Sequence, residues 1–259
     1  LAAGRRRRVG RCVHRHRRRS ASTRSLVMNM PFYVAPEQMM KDRADYARKG
    51  IARGRALVAV QYADGILLVA ENTSNTLRKI SEIYDRIAFA GVGKYNEFDQ
   101  LRRFGVRNAD VKGYAYSRDD VEARGLANDY AQILGQTFTH ELKPLEVEIL
   151  VAEVGATQAD DQLFHILYDG TLVDEKGTSV LGGDADSIAG RLAAAWSAAD
   201  DLASALPKAV AALAGPERTL SADDLEVAVL SRSNGRRCFQ RLDDALVASI
   251  VGGTNVPPK

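Results

Sequence analysis

Apolar and polar residues alternate along this chain with two different periods. Pro36 opens a segment in which apolar residues recur every three or four positions. Proline is tolerated in the first turn of a helix. Gly50 weakens the repeat and Gly54 ends it. The pattern therefore predicts a first helix over residues 36–49.

Short apolar runs with strand character follow this helix, and glycine-containing turns join several of them. Asp-Gly and Asn-Gly favour tight hairpins because glycine adopts positive φ without steric cost. The turns are Asp64-Gly65, Asp169-Gly170 and Asn234-Gly235. The predicted strands are 55–62, 66–71, 87–93, 145–154, 163–168, 171–175, 178–183, 225–232 and 236–242.

Helical repeats separate these blocks of strands and arrive mostly in pairs. Phe98, Leu101, Gly105 and Ala109 share one face of a first helix, and Leu126, Ala127, Tyr130, Leu134 and Phe138 share a face of a second. Ser117 and Asp120 are spaced as a capping box that would begin the second helix. Further helices are predicted over 184–196, 199–214 and 243–251. The order predicts an α+β fold, a four-layer αββα sandwich of two antiparallel sheets, and excludes a doubly wound parallel sheet.

Charge is distributed unevenly between the first residues and the rest. Residues 1–27 hold ten arginines and no acidic residue, so residues 28–259 carry 26 basic against 33 acidic side chains, a net charge of −7. An arginine-rich segment of this kind is typical of a nucleic-acid-binding arm or of a transit peptide. However, Met28 and Met30 directly precede the first patterned segment, where a translation start would be expected. We expect residues 1–27 to be a disordered or untranslated extension. The acidic remainder gives no second footprint for nucleic acid, so no nucleic-acid partner is expected.

The residues of common catalytic and cofactor motifs are missing or badly spaced. The histidines are isolated, so we expect no metal and no cofactor. Gly91-Val92-Gly93-Lys94 lacks the spacing of a phosphate-binding loop. Two cysteines give no disulfide framework and favour a reducing, cytoplasmic location. No run approaches the roughly 18 apolar residues of a membrane span, so no membrane partner is expected.

One long match connects the pattern to a known family. Residues 77–103, LRKISEIYDRIAFAGVGKYNEFDQLRR, resemble proteasome core subunits, and so do the Asp64-Gly65 hairpin and residues 113–121, GYAYSRDDV. The resemblance covers about residues 36–251. Residues 30–55, MPFYVAPEQMMKDRADYARKGIARGR, are similar to the α-type subunits of actinobacteria in particular. It implies the N-terminal nucleophile hydrolase fold, with an α-type domain over 28–251 and a flexible tail over 252–259.

The resemblance also separates catalytic from non-catalytic subunits. The catalytic β-type subunits begin their first strand with a freed threonine, whose own amine and a nearby lysine assist proton transfer. In this chain Gly54-Arg55 occupies that place, whereas Lys79 keeps the lysine position. We therefore expect no catalytic residue. A self-processing hydrolase using Thr73 or Thr76 is the enzymatic alternative, but both follow the second strand, so cleavage there would split the sheet.

For an α-type subunit the resemblance implies assembly and gating. Such subunits form heptameric rings that cap the β-type rings, with the first helix between neighbouring α subunits. The expected gate is the segment 28–35, namely Met30, Pro31, Phe32, Tyr33, Val34 and Ala35. Lys79, Gly93 and Asp45 are the expected docking residues for the C-terminal carboxylate of a hexameric proteasomal ATPase. The ATPase and a small disordered protein tag, Pup, would bring substrates to the particle.

Overall fold

Two antiparallel sheets form the centre of the structure, and the computed structural model describes residues 35–74 and 76–252. The described residues form ten strands: β1 (Leu57–Tyr62), β2 (Gly65–Glu71), β3 (Ile80–Tyr84), β4 (Ile87–Gly93), β5 (Val147–Glu153), β6 (Gln162–Ile166), β7 (Leu172–Glu175), β8 (Thr178–Leu181), β9 (Leu225–Ser231) and β10 (Phe239–Arg241). One sheet has the order β10-β9-β2-β1-β8 and the other β3-β4-β5-β6-β7. All their pairings are antiparallel.

Helices cover the outer face of each sheet and one end of the layer between the sheets. They are α1 (Pro36–Ala52), α2 (Tyr95–Ala115), α3 (Ala123–His140), α4 (Ala185–Ala195), α5 (Leu202–Ala214) and α6 (Asp244–Val251). The last three pack on the first sheet, and α2 and α3 pack on the second. This is the predicted four-layer αββα sandwich. The contacts divide the chain into Leu1–Ala35 and Pro36–Lys259, and these helices and strands belong to the second unit.

Alternation along each strand divides the core into three apolar layers. In β1, Leu57 and Ala59 point between the sheets, whereas Val58 and Val60 point outward to the helices. All four side chains are buried. A sheet buried on both faces reads as a continuous apolar run, which explains why several strands lack a clear polar face.

The three glycine-containing turns make the predicted hairpins. The first joins β1 to β2 with Tyr62 opposite Gly65. Gly65 has φ of 152°, and a side chain there would overlap the carbonyl oxygen of Leu230 on β9. Glycine is therefore required at this turn both for its backbone conformation and for the close approach of a third strand.

Three local predictions were wrong. α1 ends at Ala52 rather than at 49, because Ile51 is 3% exposed and packs into the core between the sheets. Strand β3 was not predicted, since Ser81 and Glu82 interrupt the apolar alternation and the ladder is irregular there. Ser117 caps a short 3₁₀ turn instead of α3.

The N-terminus of α3 is capped from another part of the chain. A carboxylate oxygen of Glu153, at the end of β5, accepts the N–H of Ala123 at 2.8 Å. Burial raises the pKa of Glu153, and this hydrogen bond and Arg86 oppose the shift. The cap comes from a residue 30 positions away, so a local capping motif could not predict it.

No helix within the described ranges has both the length and the apolar character needed to cross a membrane.

The contact between α2 and α3 generates a stability prediction. A side chain at Gly105 would meet the hydroxyl of Tyr130, which is fully buried. Gly105→Ala gains about 1 kcal/mol of helix propensity but introduces overpacking of about 1–3 kcal/mol, so we expect net destabilisation in a urea titration of the purified chain.

Gly190→Ala in α4 is the matched control, because no atom lies within 4 Å of the added methyl group. This variant should be stabilised by about 0.5–1 kcal/mol. Equal stabilisation by both substitutions would contradict the packing described for α2 and α3.

Candidate functional site

The docking residues predicted from the sequence, Lys79, Gly93 and Asp45, all lie at one end of the sandwich. The antiparallel register brings the starts of β1, β3, β5 and β9 together with the ends of β2 and β4. α1 lies at this end, in contact with β4 and β5. We call this region the α1 end.

α1 is anchored there by apolar burial and by cation–aromatic contacts. Ala47 and Ile51 are 0% and 3% exposed and belong to the layer between the sheets. The guanidinium of Arg48 lies 5.7 Å from the ring centre of Tyr168. Arg43 donates to the carbonyl oxygen of Glu141, before β5. The helix therefore covers this end of the inter-sheet core.

Lys79 lies at the α1 end, immediately before β3. Its Nζ donates to the carbonyl oxygen of Arg55 at 2.7 Å. Burial lowers the pKa of Lys79 to about 8, while Glu71 and Glu226 oppose the shift and Arg55 adds to it. The amine of Lys79 therefore changes charge around pH 8.

Gly93 lies beside the same segment. It is the last residue of β4, with φ of 101°, and the next residue, Lys94, is the N-cap of α2. A Cβ atom placed on Gly54 would lie 3.3 Å from the nitrogen of Gly93. Gly54 is therefore part of the candidate site, whereas its sequence position predicted only the end of the first helix and the start of the first strand.

The backbone N–H of Gly93 is directed by the ladder it ends. Lys94 donates its N–H to the carbonyl oxygen of Glu146 on the β5 side at 3.0 Å. Alternation in an antiparallel ladder turns the N–H of Gly93 to the other side. On that side the N–H of Gly91 donates to the backbone carbonyl oxygen of Lys79 at 3.0 Å. The N–H of Gly93 and the backbone of Lys79 thus lie on the same side of β4.

Asp45 is not joined to this pair within one subunit. Its carboxylate pairs with Arg48 one turn later in α1, at 3.3 Å, and both side chains are substantially exposed. Its ion pair and hydrogen bonds among the described residues do not reach Lys79 or Gly93.

A cleft of about 660 Å³ opens next to Arg55. Glu71 lines this cleft and forms ion pairs with Arg55 at 3.1 Å and with Arg218 at 3.2 Å. Among the described residues that line the cleft, none carries a hydroxyl or a thiol. Thr73 and Thr76 are exposed residues of the loop between β2 and β3, outside the lining of the cleft.

Several predicted segments lie outside the described residues. These are the arginine-rich 1–27, the gate residues Met30, Pro31, Phe32, Tyr33 and Val34, and the tail beyond Gly252. Ala35 is exposed directly before α1. Within the described ranges no three His, Cys, Asp or Glu side chains are grouped as a metal site.

The fold is an α+β sandwich of two antiparallel sheets between helical layers, with a further helix over one end. Comparison with known proteins identifies the family that has this fold. A family model for proteasome subunits matches residues 51–230. "Proteasome subunit alpha" of Acidimicrobium ferrooxidans is 62% identical over 225 residues, covering 87% of this chain and 97% of that protein. The corresponding protein of Kineococcus radiotolerans is 56% identical over 237 residues, covering 88% and 100%.

The chain therefore belongs to the proteasome subunit family. Within it the similarity is to the α-type subunits of actinobacteria, which are components of the proteasome core particle. Assembly with β-type and with other α-type subunits follows from that membership.

The environment of Lys79 predicts its titration. As pH is raised, acetylation of Lys79 by acetic anhydride, followed by mass spectrometry, should show a midpoint near the pKa of about 8. In the urea-unfolded chain the same amine should titrate near the ordinary lysine value of 10.5. Because the folded value is the lower one, this group makes the fold more stable as pH rises from about 8 to 10.5. A folded-state midpoint above 10 would contradict the burial described here.

Proposed function

We propose that this chain is a non-catalytic subunit of a heptameric α ring, which caps the β rings, controls substrate entry and docks an ATP-driven activator. The observation that carries the proposal is the α1 end. There a helix covers the inter-sheet core, and Arg55, which the family resemblance aligns with the nucleophile of hydrolytic relatives, has no nucleophilic atom. Lys79 remains beside it and is available for binding instead of catalysis.

Lys79 and the Gly93 N–H together suit a carboxylate. An ammonium group and a backbone N–H close to a helix start both attract an anion. An exposed lysine–carboxylate pair contributes about 0–1 kcal/mol, and a helix N-terminus about 0.3–1 kcal/mol. One such site binds weakly, so docking needs several linked tails that occupy several subunits at once.

Asp45 would complete the site from a neighbouring subunit. Within one chain it lies on α1 away from Lys79 and pairs with Arg48. A ring puts α1 of one subunit against the next, so we propose that Asp45 forms the opposite wall of a pocket between subunits. The pocket would then exist only in the assembled ring.

The segment before α1 is proposed as the gate. Residues 28–35 are bounded by Pro31 and Pro36 and lack a helical or strand repeat. A short chain projecting from α1 towards a ring axis would close a pore until docking moves it. We further propose that the particle acts in the cytoplasm on substrates that carry the Pup tag and are unfolded by a hexameric proteasomal ATPase.

Two other functions have weaker support. A self-processing hydrolase would need Thr73 or Thr76 at a strand start, but both lie in the exposed loop after β2. A nucleic-acid-binding function would rest on residues 1–27, and the acidic remainder of the chain provides no basic surface to extend it.

Lys79→Ala tests the docking function. In the particle assembled with β subunits, this substitution should abolish ATPase-stimulated protein degradation, because the tail carboxylate loses its counter-charge. Rings should still form in electron micrographs, and small peptides should still be hydrolysed.

Lys176→Ala is the control, since Lys176 is an exposed lysine next to β8. It should leave ATPase stimulation unchanged. Loss of ring assembly in Lys79→Ala would mean that the lysine is structural, and retained stimulation would mean that tails dock elsewhere.

Removal of the residues before Pro36 tests the gate. The assembled particle should then hydrolyse small peptides faster in the absence of an ATPase, because entry is no longer restricted. Rates should be measured with a fluorogenic peptide at equal particle concentration. Equal rates for the truncated and full-length chains would exclude the gate.

A further inference from the structure

A buried carboxylate, that of Glu226, accepts a hydrogen bond from the backbone N–H of Lys79. Glu226 is the second residue of β9, and only 2% of its surface is exposed. Ala228 and Leu230, its successors on the same face of the strand, belong to the apolar layer between the sheets. A carboxylate in such surroundings is costly unless its oxygens are satisfied by hydrogen bonds.

Four donors converge on this carboxylate. Oε2 accepts the backbone N–H of Lys79 and the Nδ2 of Asn72, each at 2.8 Å. Oε1 accepts the N–H of Ile80 at 3.2 Å and the guanidinium of Arg241. Arg241 also donates to the carbonyl oxygen of Ile80 at 2.7 Å. The pair of Glu226 and Arg241 thus binds the backbone where the docking lysine enters β3.

The same carboxylate contributes to the charge of the lysine side chain. Charged groups around the amine come from each element packed against it: Arg55 before β1, Glu71 of β2 and Glu226 of β9, with Arg218 and Arg241 paired to the two carboxylates. Burial and Arg55 favour the neutral amine, whereas the two carboxylates favour the charged one.

We propose that Glu226 is a positioning residue for Lys79, holding its backbone at the carboxylate-binding site and helping to keep its amine charged. The sequence around Glu226 does not predict this role, because Glu226 lies 147 positions from Lys79 along the chain. The predicted effect of Glu226 on ATPase stimulation rests on the proposed docking function, whereas its predicted effect on Lys79 does not. The link between the two residues is measurable in the chain alone.

The charge of Glu226 is tested by Glu226→Gln. One oxygen becomes an amide NH₂ that cannot accept, and the negative charge is lost. The acetylation midpoint of Lys79 in the folded chain should fall by about 1 pH unit. An unchanged midpoint in Glu226→Gln overturns the charge role.

The docking readout follows from this shift. At pH 8 about half of the Lys79 amines are charged in the wild type. A pKa lower by one unit leaves about one-tenth of them charged. ATPase-stimulated degradation by the assembled particle should therefore be lower by about fivefold or more at pH 8, and the deficit should narrow at pH 6.5. A deficit that is the same at both pH values overturns the charge role.

Glu226→Asp separates position from charge and serves where the glutamine variant does not fold. It keeps the carboxylate but shortens it by one methylene, so it cannot reach all four donors. The acetylation midpoint should stay closer to wild type, while ATPase stimulation should be reduced at both pH values. Wild-type stimulation in Glu226→Asp overturns the positioning role.

Glu153→Gln is the matched control. Glu153 is also a buried carboxylate that accepts a backbone N–H, but it lies at the other end of the sandwich. It should alter neither the Lys79 midpoint nor the pH profile, and a shift equal to that of Glu226→Gln overturns the proposal. If the wild-type particle shows no stimulation at any pH, the docking function fails, while the acetylation midpoints still decide whether Glu226 sets the charge of Lys79.

Discussion

Burial of α1 over one end of the inter-sheet core is the constraint on which the candidate site depends. A two-sheet sandwich leaves the ends of its inner apolar layer open unless another element covers them. Here Ala47 and Ile51 provide the cover, and the chain then passes directly through Gly54 and Arg55 into β1. The described chain therefore enters β1 from α1 rather than from a free amino terminus.

The carboxylates of Glu71 and Glu226 at this end are outnumbered by three guanidinium groups and the amine of Lys79. Glu71 is paired with Arg55 and Arg218, and Glu226 with Arg241. Among the described residues Lys79 forms no ion pair with these carboxylates, and its amine donates to the backbone carbonyl of Arg55. Burial lowers the pKa of this amine to about 8, so its charge depends on pH in the mildly alkaline range.

Much of the fold could be predicted from the sequence, because hairpin turns and apolar periods are local signals. The four layers, the three glycine-containing turns and the buried faces of α2 and α3 were predicted in this way. Strand β3, the last turn of α1 and the cap of α3 were not, since each depends on a distant partner or on irregular pairing. At the site, family resemblance pointed to Lys79 and Gly93. Gly54 and Glu226 became evident only when the fold brought distant segments together.

The most direct measurement is an electron-microscopy structure of this chain assembled with its β partner and soaked with a synthetic peptide copying the ATPase C-terminus. We expect a carboxylate held by the Lys79 amine and the Gly93 backbone, with α1 of the adjacent subunit on its far side. Density for the peptide at any other surface, with the Lys79 amine still bonded to Arg55, would contradict it.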